Sequence, residues 1–336
     1  MTGVEWGHTE AATASRRTKR LRAGRIVLTA GALFLYVLLS TAALVLYGPF
    51  ENIRSTLIGA ILTSRHPWVI EPFYPAATLA KYRPVGLDAM GEGRMTAGDF
   101  SAIRDDGVEV IPIETAKYAG SLLVVHDPKR VHVAVTKYLN SVGQTVTDMV
   151  KDAHAIAGIN AGGFFDGGGR GTGGTPLGIT ISRGTYVSGD RTSPQPVIGI
   201  TKEGALVVGK YTYEELRRLG VTDAISFGPQ LVRDGKPYLK ESDGSWGVAP
   251  RSAIGQRQDG AILLLALSGR GHDGIGATLL DVEEVMLQHG AYVAANLDGG
   301  YSSELYYNGR FLVSPSNPLG ERYVATSFVV DGGSRG

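Results

Sequence analysis

The sequence predicts an α+β fold, a mixed, hairpin-rich β-sheet domain with a few helices, preceded by one N-terminal transmembrane helix. Three observations predict it. Many short runs rich in β-branched residues are joined by Asp-Gly and Asn-Gly links. Within the domain, two stretches carry a clear helical stripe of apolar residues. Near the N-terminus, an uncharged apolar run follows a basic cluster.

The N-terminal segment comes first. Residues 1–25 hold Arg16, Arg17, Lys19, Arg20, Arg22 and Arg25 against Glu5 and Glu10, and form a basic tail. Ile26–Tyr47 then runs for 22 residues without a charge. A helix of that length spans about 33 Å, enough for a hydrocarbon core of about 30 Å. The positive flank places the N-terminus in the cytoplasm and the bulk of the chain outside. The alternative is a cleaved signal peptide ending near Ser40-Thr41-Ala42, but the apolar run continues past that point through Tyr47. Residues 48–95 read as a juxtamembrane connector. Ile53, Leu57, Ile58, Ile61 and Leu62 recur at helical spacing, and Pro67, Pro72, Pro75 and Pro84 then break regular structure.

From residue 96 to 332 the pattern is that of one domain. Strand-like runs include Val108–Ile113, Ser121–His126, Val131–Val135, Gly178–Ser182, Val197–Thr201 and Ala205–Gly209. Further runs are Ala224–Phe227, Ala261–Leu267, Tyr292–Asn296, Glu304–Tyr307, Phe311–Val313 and Val324–Val330. Glu203-Gly204, Asp234-Gly235, Asp259-Gly260 and Asn308-Gly309 mark hairpins, because tight turns need positive φ. Thr145–Ala155 and Thr278–His289 read as helices, the second with Thr278 as N-cap, Asp281 three residues later and Gly290 as stop.

Composition removes several functions. The chain has no cysteine, which excludes thiol catalysis, disulfide scaffolds and Cys-type zinc sites. Its formal net charge of +1 argues against a nucleic-acid partner. Gly169–Gly174 fits a dinucleotide-binding spacing, but a β-like run follows where a helix is required. The seven histidines are scattered, and His126 and His132 read as surface residues beside a turn.

The 47 glycines, roughly twice ordinary usage, concentrate beside polar residues. Four segments stand out: Gly158–Asp166, Ser226–Val232, Ala249–Gly255 and Ala295–Ser303. In each, a polar side chain emerges at a strand end beside residues with little side chain, so a ligand can reach the backbone. Asp166 and Asp298 are candidate acids, bases or nucleophiles. Arg251 and Arg322 are candidate anion holders, because a guanidinium matches a phosphate with two parallel donors.

With NAGGFFD at Asn160–Asp166, GITISRG at Gly178–Gly184, GPQLVRDG at Gly228–Gly235, PRSAIG at Pro250–Gly255, NLDGGYSS at Asn296–Ser303 and GER at Gly320–Arg322, the chain resembles the phosphodiester glycosidase family. The resemblance implies a hydrolase that cleaves the sugar–phosphate bond of a sugar-1-phosphodiester, of the N-acetylglucosamine type, in cell-envelope or exopolysaccharide material. It implies Asp298, Asp166 and Arg251 as catalytic residues. Asn160, Gly163, Gly228, Asn296, Gly299, Gly300, Ser302, Ser303 and Arg322 are then expected against substrate. Two aspartates with amide and carbonyl oxygens can also hold a divalent cation, Ca²⁺ or Mg²⁺. The family has a small residue after Asp-Gly-Gly, where this chain carries Tyr301, which narrows the cleft or stacks on a sugar ring. The other reading is a non-catalytic envelope protein that binds polysaccharide in the same cleft.

Overall fold

The computed structural model describes residues 7–63, 67–82, 90–91, 93–95, 98–165, 172–239, 246–269 and 274–333. Two compact units divide at Arg54 and Ser55. The first contains the helix α1 (Gly7–Tyr47). Its segment Arg25–Tyr47, 23 residues with a mean hydropathy of 2.1, is long and apolar enough to cross a membrane. A second helix, α2 (Glu51–Thr63), follows where apolar spacing predicts one. The proline-rich stretch is more regular than the sequence suggests, because Pro75 leads directly into a short α3 (Ala76–Tyr82) and its carbonyl accepts the first helical N–H groups.

Strands then dominate. In chain order they begin with β1 (Arg94–Met95), β2 (Val108–Glu114), β3 (Ala119–Val125) and β4 (Val131–Val135). After α4 (Val146–Asp152) come β5 (Ala155–Asn160), β6 (Thr180–Ser182), β7 (Thr185–Ser188), β8 (Gln195–Thr201) and β9 (Leu206–Tyr211). After α5 (Tyr213–Arg218) come β10 (Val221–Ile225), β11 (Gln230–Arg233), β12 (Lys236–Pro237), β13 (Arg251–Arg257) and β14 (Ile262–Leu267). The last helix, α6 (Leu279–Gln288), precedes β15 (Ala291–Asn296), β16 (Leu305–Tyr307), β17 (Arg310–Val313) and β18 (Thr326–Asp331).

Three sheets result, with orders β1-β9-β8-β10-β6-β7, β12-β11-β15-β13-β14-β3-β2 and β17-β16-β5-β18-β4. Every strand pairing among the described residues is antiparallel. The four predicted glycine turns each close a hairpin, and Asp234 and Asn308 take positive φ of 53° and 45°.

Alternation along the strands explains the apolar runs. Ile262, Leu264 and Ala266 of β14 face a core shared by the three sheets, while Leu263, Leu265 and Leu267 face α6. Both faces are covered, so the strand reads as continuous apolar sequence. On the other flank, α4 packs Val146, Met149 and Val150 against Val329 of β18, while Phe328 faces the shared core. The caps also match their chemistry. Thr278 and Asp281 form a reciprocal capping box on α6, and Thr212 and Glu215 form one on α5.

Some boundaries differ from expectation. The helix predicted over Thr145–Ala155 stops at Asp152, because His154 turns to φ 52° and Ala155 already begins β5. His132 is not a free surface residue. It is half-buried, with Nδ1 3.2 Å from Asp223 and Nε2 3.4 Å from Asp331.

Candidate functional site

Strand ends converge to make the site. Asn160 closes β5, Asn296 closes β15 and Arg251 opens β13. Asn296 sits opposite Ala253 in the seven-stranded sheet, and Asn160 sits opposite Ser327 in the five-stranded sheet. The two sheets meet where the Asp298 N–H donates to the Ala161 carbonyl at 3.0 Å.

Asn160 is the clasp at that junction. It is fully buried, and its Nδ2 donates to the Asp298 carbonyl. Its Oδ1 accepts from Ser252 Oγ at 2.8 Å and from the Glu304 N–H at 3.2 Å. One side chain therefore joins β5, β13 and both ends of the Asp298–Glu304 turn. A buried amide with these partners positions the site rather than touching a ligand directly. The half-buried Asp298 carboxylate stands at the turn, where its Oδ1 accepts the Gly299 N–H at 3.0 Å.

Arg251 lies beside this turn. Its Nε donates to the Ala277 carbonyl at 3.2 Å, and Nη2 donates to the carbonyls of Trp246 and Gly247 at 2.7 and 2.6 Å. The guanidinium is thus fixed in one plane, 5.9 Å from the Trp246 ring centroid. A Cβ added at Gly299 would stand 3.8 Å from Arg251 Nη1 and 3.2 Å from the Pro250 carbonyl. That carbonyl accepts the Gly300 N–H at 2.8 Å, which ties the turn to the start of β13. Gly300 has φ +65° with open space where a Cβ would be, so the backbone conformation is what favours glycine there.

The other expected site residues are distributed around this centre. Asn296 Nδ2 donates to the Gly228 carbonyl at 3.0 Å, and its N–H donates to the Pro229 carbonyl at 2.9 Å. Ser302 and Ser303 are buried, and neither hydroxyl has a partner among the described residues. Gly163 borders an open cleft of about 410 Å³, whose lining includes Leu177, Ser226 and Phe227. Arg322 joins the site through the Asn160–Phe165 loop, with its guanidinium 4.9 Å from the Phe164 ring centroid. Tyr301 and Phe165 are exposed, 41% and 63%. Asp166 lies outside the described residues.

The expected divalent cation would draw on Asp298 and Asp166, and Asp166 lies outside the described residues. Asn160 Oδ1 already accepts two hydrogen bonds, and Asp298 Oδ1 accepts one. Among the described residues, no group of three or more His, Asp or Glu side chains converges on one point.

Two residues of the site carry little signal in the sequence. Glu304 is fully buried directly after Ser303, and burial pushes its carboxyl up to about 9, helped by the charge of Glu321. Glu321 accepts from the Thr147 N–H at 3.1 Å and from Thr147 Oγ1 at 2.7 Å, at the start of α4. The signal for Glu321 was the matched Gly320–Arg322 motif, read for its arginine alone. Glu304 had no signal beyond adjacency to Ser302-Ser303.

Comparison with known proteins gives a consistent result. A model of phosphodiester glycosidases matches residues 153–331, more than half of the chain. The N-acetylglucosamine-1-phosphodiester alpha-N-acetylglucosaminidase of Bos taurus is 30% identical over 173 residues, which are 46% of this chain and 32% of that protein. The Mus musculus protein of the same name is 28% identical over 225 residues, 59% of this chain and 42% of that protein. The chain thus spans well under half the length of these curated relatives. A solved zebrafish catalytic domain of the same name, described as auto-inhibited by its pro-peptide, superposes with a TM-score of 0.59 at 22% identity. That match covers 71% of this chain and 88% of the zebrafish domain, and it shows a shared fold.

Proposed function

The chain belongs to the phosphodiester glycosidase family, and from that premise we propose that it hydrolyses the sugar–phosphate bond of a sugar-1-phosphodiester. The observation that carries this reading is the placement of a half-buried carboxylate, Asp298, next in sequence to Gly299, against which the immobilised guanidinium of Arg251 lies. The phosphate leaves as a stable anion, so holding its charge matters more than protonating it. Arg251 serves that role, with three donor contacts to carbonyls fixing its plane in advance. Charge develops at the anomeric carbon as the carbon–oxygen bond breaks, and the bonding pair leaves with the phosphate oxygen. Asp298 either stabilises that carbon or takes a proton from the attacking water. The new carbon–oxygen bond comes from water, and the products are a free sugar and a phosphomonoester.

Gly299 and Gly300, both part-exposed, are the glycines that let a ligand approach the turn, and Arg322 provides a polar group beside it; Gly163, Gly228, Asn296, Ser302 and Ser303 are buried and support the turn from behind. Tyr301, exposed on the turn, stacks on a sugar ring. Asp166 is the second carboxylate of the proposal. No step proposed for these residues requires a divalent cation. We place the domain outside the cytoplasmic membrane, anchored by Arg25–Tyr47 with the basic tail inside, acting on envelope or exopolysaccharide material.

The test uses the detergent-solubilised full chain and an alkyl diester of N-acetylglucosamine-1-phosphate. Release of free sugar together with alkyl phosphate supports the proposal. Glycan binding without release of either product from this diester or from envelope extracts would leave the polysaccharide-binding reading instead.

A further inference from the structure

The Glu304 carboxyl has no part in the chemistry described above. The residue precedes Leu305, which pairs with Ile159, and its N–H is bound by Asn160 Oδ1. Ser327 flanks Asn160 from the opposite strand. Glu304 is 0% exposed, and neither carboxyl oxygen completes a hydrogen bond with a described group. Ser303 and Ser327 hydroxyls are likewise buried and unpartnered. A carboxylate in such a place is costly, because it has neither solvent nor a cation to offset its charge.

The groups on surrounding elements sharpen the point. Asp148 and Lys151 of α4 pair with each other at 4.0 Å near solvent. Tyr306 packs edge-on against Phe311 at 5.5 Å, and Arg310 lies exposed on the same hairpin. Arg322 lies over Phe164. Glu321 is the charge that bears on Glu304, and it is negative. The Val146 N–H works in the other direction without completing a hydrogen bond.

We propose that Glu304 is a positioning residue, one that holds the Asn160 clasp on Asp298 only while its buried carboxyl carries a proton. Losing the proton sets a second negative charge against Glu321 inside the sheet–helix interface. The strand start at Glu304–Leu305 then shifts, Asn160 loses its partner, and Asp298 is released from its fixed place.

The sign follows from the two end states. The unfolded chain loses the proton near 4.5, and the folded chain keeps it until about 9. Folding stability therefore falls as pH rises between those values, by up to tenfold in the folding equilibrium per pH unit, and levels off above. The clasp opens in the folded protein as pH passes about 9.

The inference on catalysis rests on the proposed hydrolysis, so the test reads folding and turnover separately. Thermal unfolding of the full chain in detergent is followed from pH 5 to pH 10 for wild type and Glu304→Gln. The variant is expected to match wild type at pH 5 and to exceed it increasingly towards pH 9. In turnover of the alkyl diester, wild type loses kcat above about pH 9 with KM little changed, and Glu304→Gln keeps its rate there. Parallel unfolding profiles for the two proteins would overturn the inference, as would an alkaline loss of kcat identical in both. Absence of turnover at every pH refutes the hydrolase reading, while the unfolding profiles still decide the state of Glu304. If Glu304→Gln does not fold, Glu304→Thr, which removes the acid and keeps a short polar group, is read in the same two assays.

Discussion

Replacing Asn160 with alanine tests the clasp directly. The amide makes three hydrogen bonds inside a fully buried junction. Removing it strands the Glu304 N–H and the Ser252 hydroxyl, both in buried residues, and frees the Asp298 carbonyl at the edge of the site. A buried polar group left without a partner costs about 1–3 kcal/mol, so two of them cost about 4 kcal/mol together. At about 2–4 °C per kcal/mol for a domain of this size, Tm falls by about 8–16 °C. Asn160→Asp separates the two jobs of the side chain. It keeps acceptors for Ser252 and Glu304 but sets an oxygen against the Asp298 carbonyl. Because an acid buried there has no cation to offset its charge, it should be no more stable than the alanine variant near neutral pH, and it should lose at least tenfold in kcat. Urea unfolding and turnover on the same preparations provide both numbers. A loss below about 1 kcal/mol for Asn160→Ala refutes the clasp, since a residue with three buried partners cannot be removed so cheaply.

Three further outcomes are expected. Tyr301→Ala should raise KM for a sugar-1-phosphodiester several-fold and leave Tm within about 1 °C, because the ring is exposed on the turn; an unchanged KM removes Tyr301 from the sugar site. Gly173→Ala should destabilise by about 3 kcal/mol or more, because φ is +72° and the new Cβ would sit 2.2 Å from the Tyr323 carbonyl oxygen. Gly300→Ala, with φ +65° and open space, should cost about 1 kcal/mol, and equal losses at the two positions in urea unfolding would contradict the geometry. Burial alone would raise the Asp223 carboxyl, but the His132 side chain and the Arg183 and Val133 N–H groups together hold it below its usual 3.8. Its folded value is depressed, so its stabilisation is complete above pH 3.8 and disappears as pH falls through the folded value. Acid titration of Tm should therefore show a downward limb below about pH 4 that is shallower in Asp223→Asn.

How far the fold was legible depended on whether a strand has one partner face or two. Leu263–Leu267 announces itself because both faces are buried and the sequence is apolar throughout, and Val324–Val330 does so despite its buried Thr326 and Ser327. β13 is absent from the strand-like runs, and only its start stands out as a polar strand end, because Ser252 and Gln256 place polar groups in the shared core. Gln256 is fully satisfied there, accepting from the Leu206 N–H and donating to the Gly204 and Gly260 carbonyls. Composition cannot show such tertiary satisfaction. α5 is too short for a helical period to emerge, although its Thr212–Glu215 capping box is visible in the sequence.

The grouping of glycines and strand-end polar residues was legible in the sequence, and the structure brings Asn160 to Asp298 and Arg251 to Gly299. Their division of labour was not. Asn160 looked like a ligand contact, and only the three-way bonding of its amide shows a clasp. Glu304 looked like the first residue of a strand, and its burial depends on α4 and Glu321, which lie far away in sequence.

The most direct measurement is turnover of the alkyl diester by wild type, Asp298→Asn and Arg251→Met, each shown to be folded by its unfolding transition. Free sugar and alkyl phosphate are expected from wild type, with a loss of about a thousandfold or more in kcat for Asp298→Asn and a comparable loss in kcat/KM for Arg251→Met. Wild-type rates from a folded Asp298→Asn protein would remove Asp298 from the chemistry.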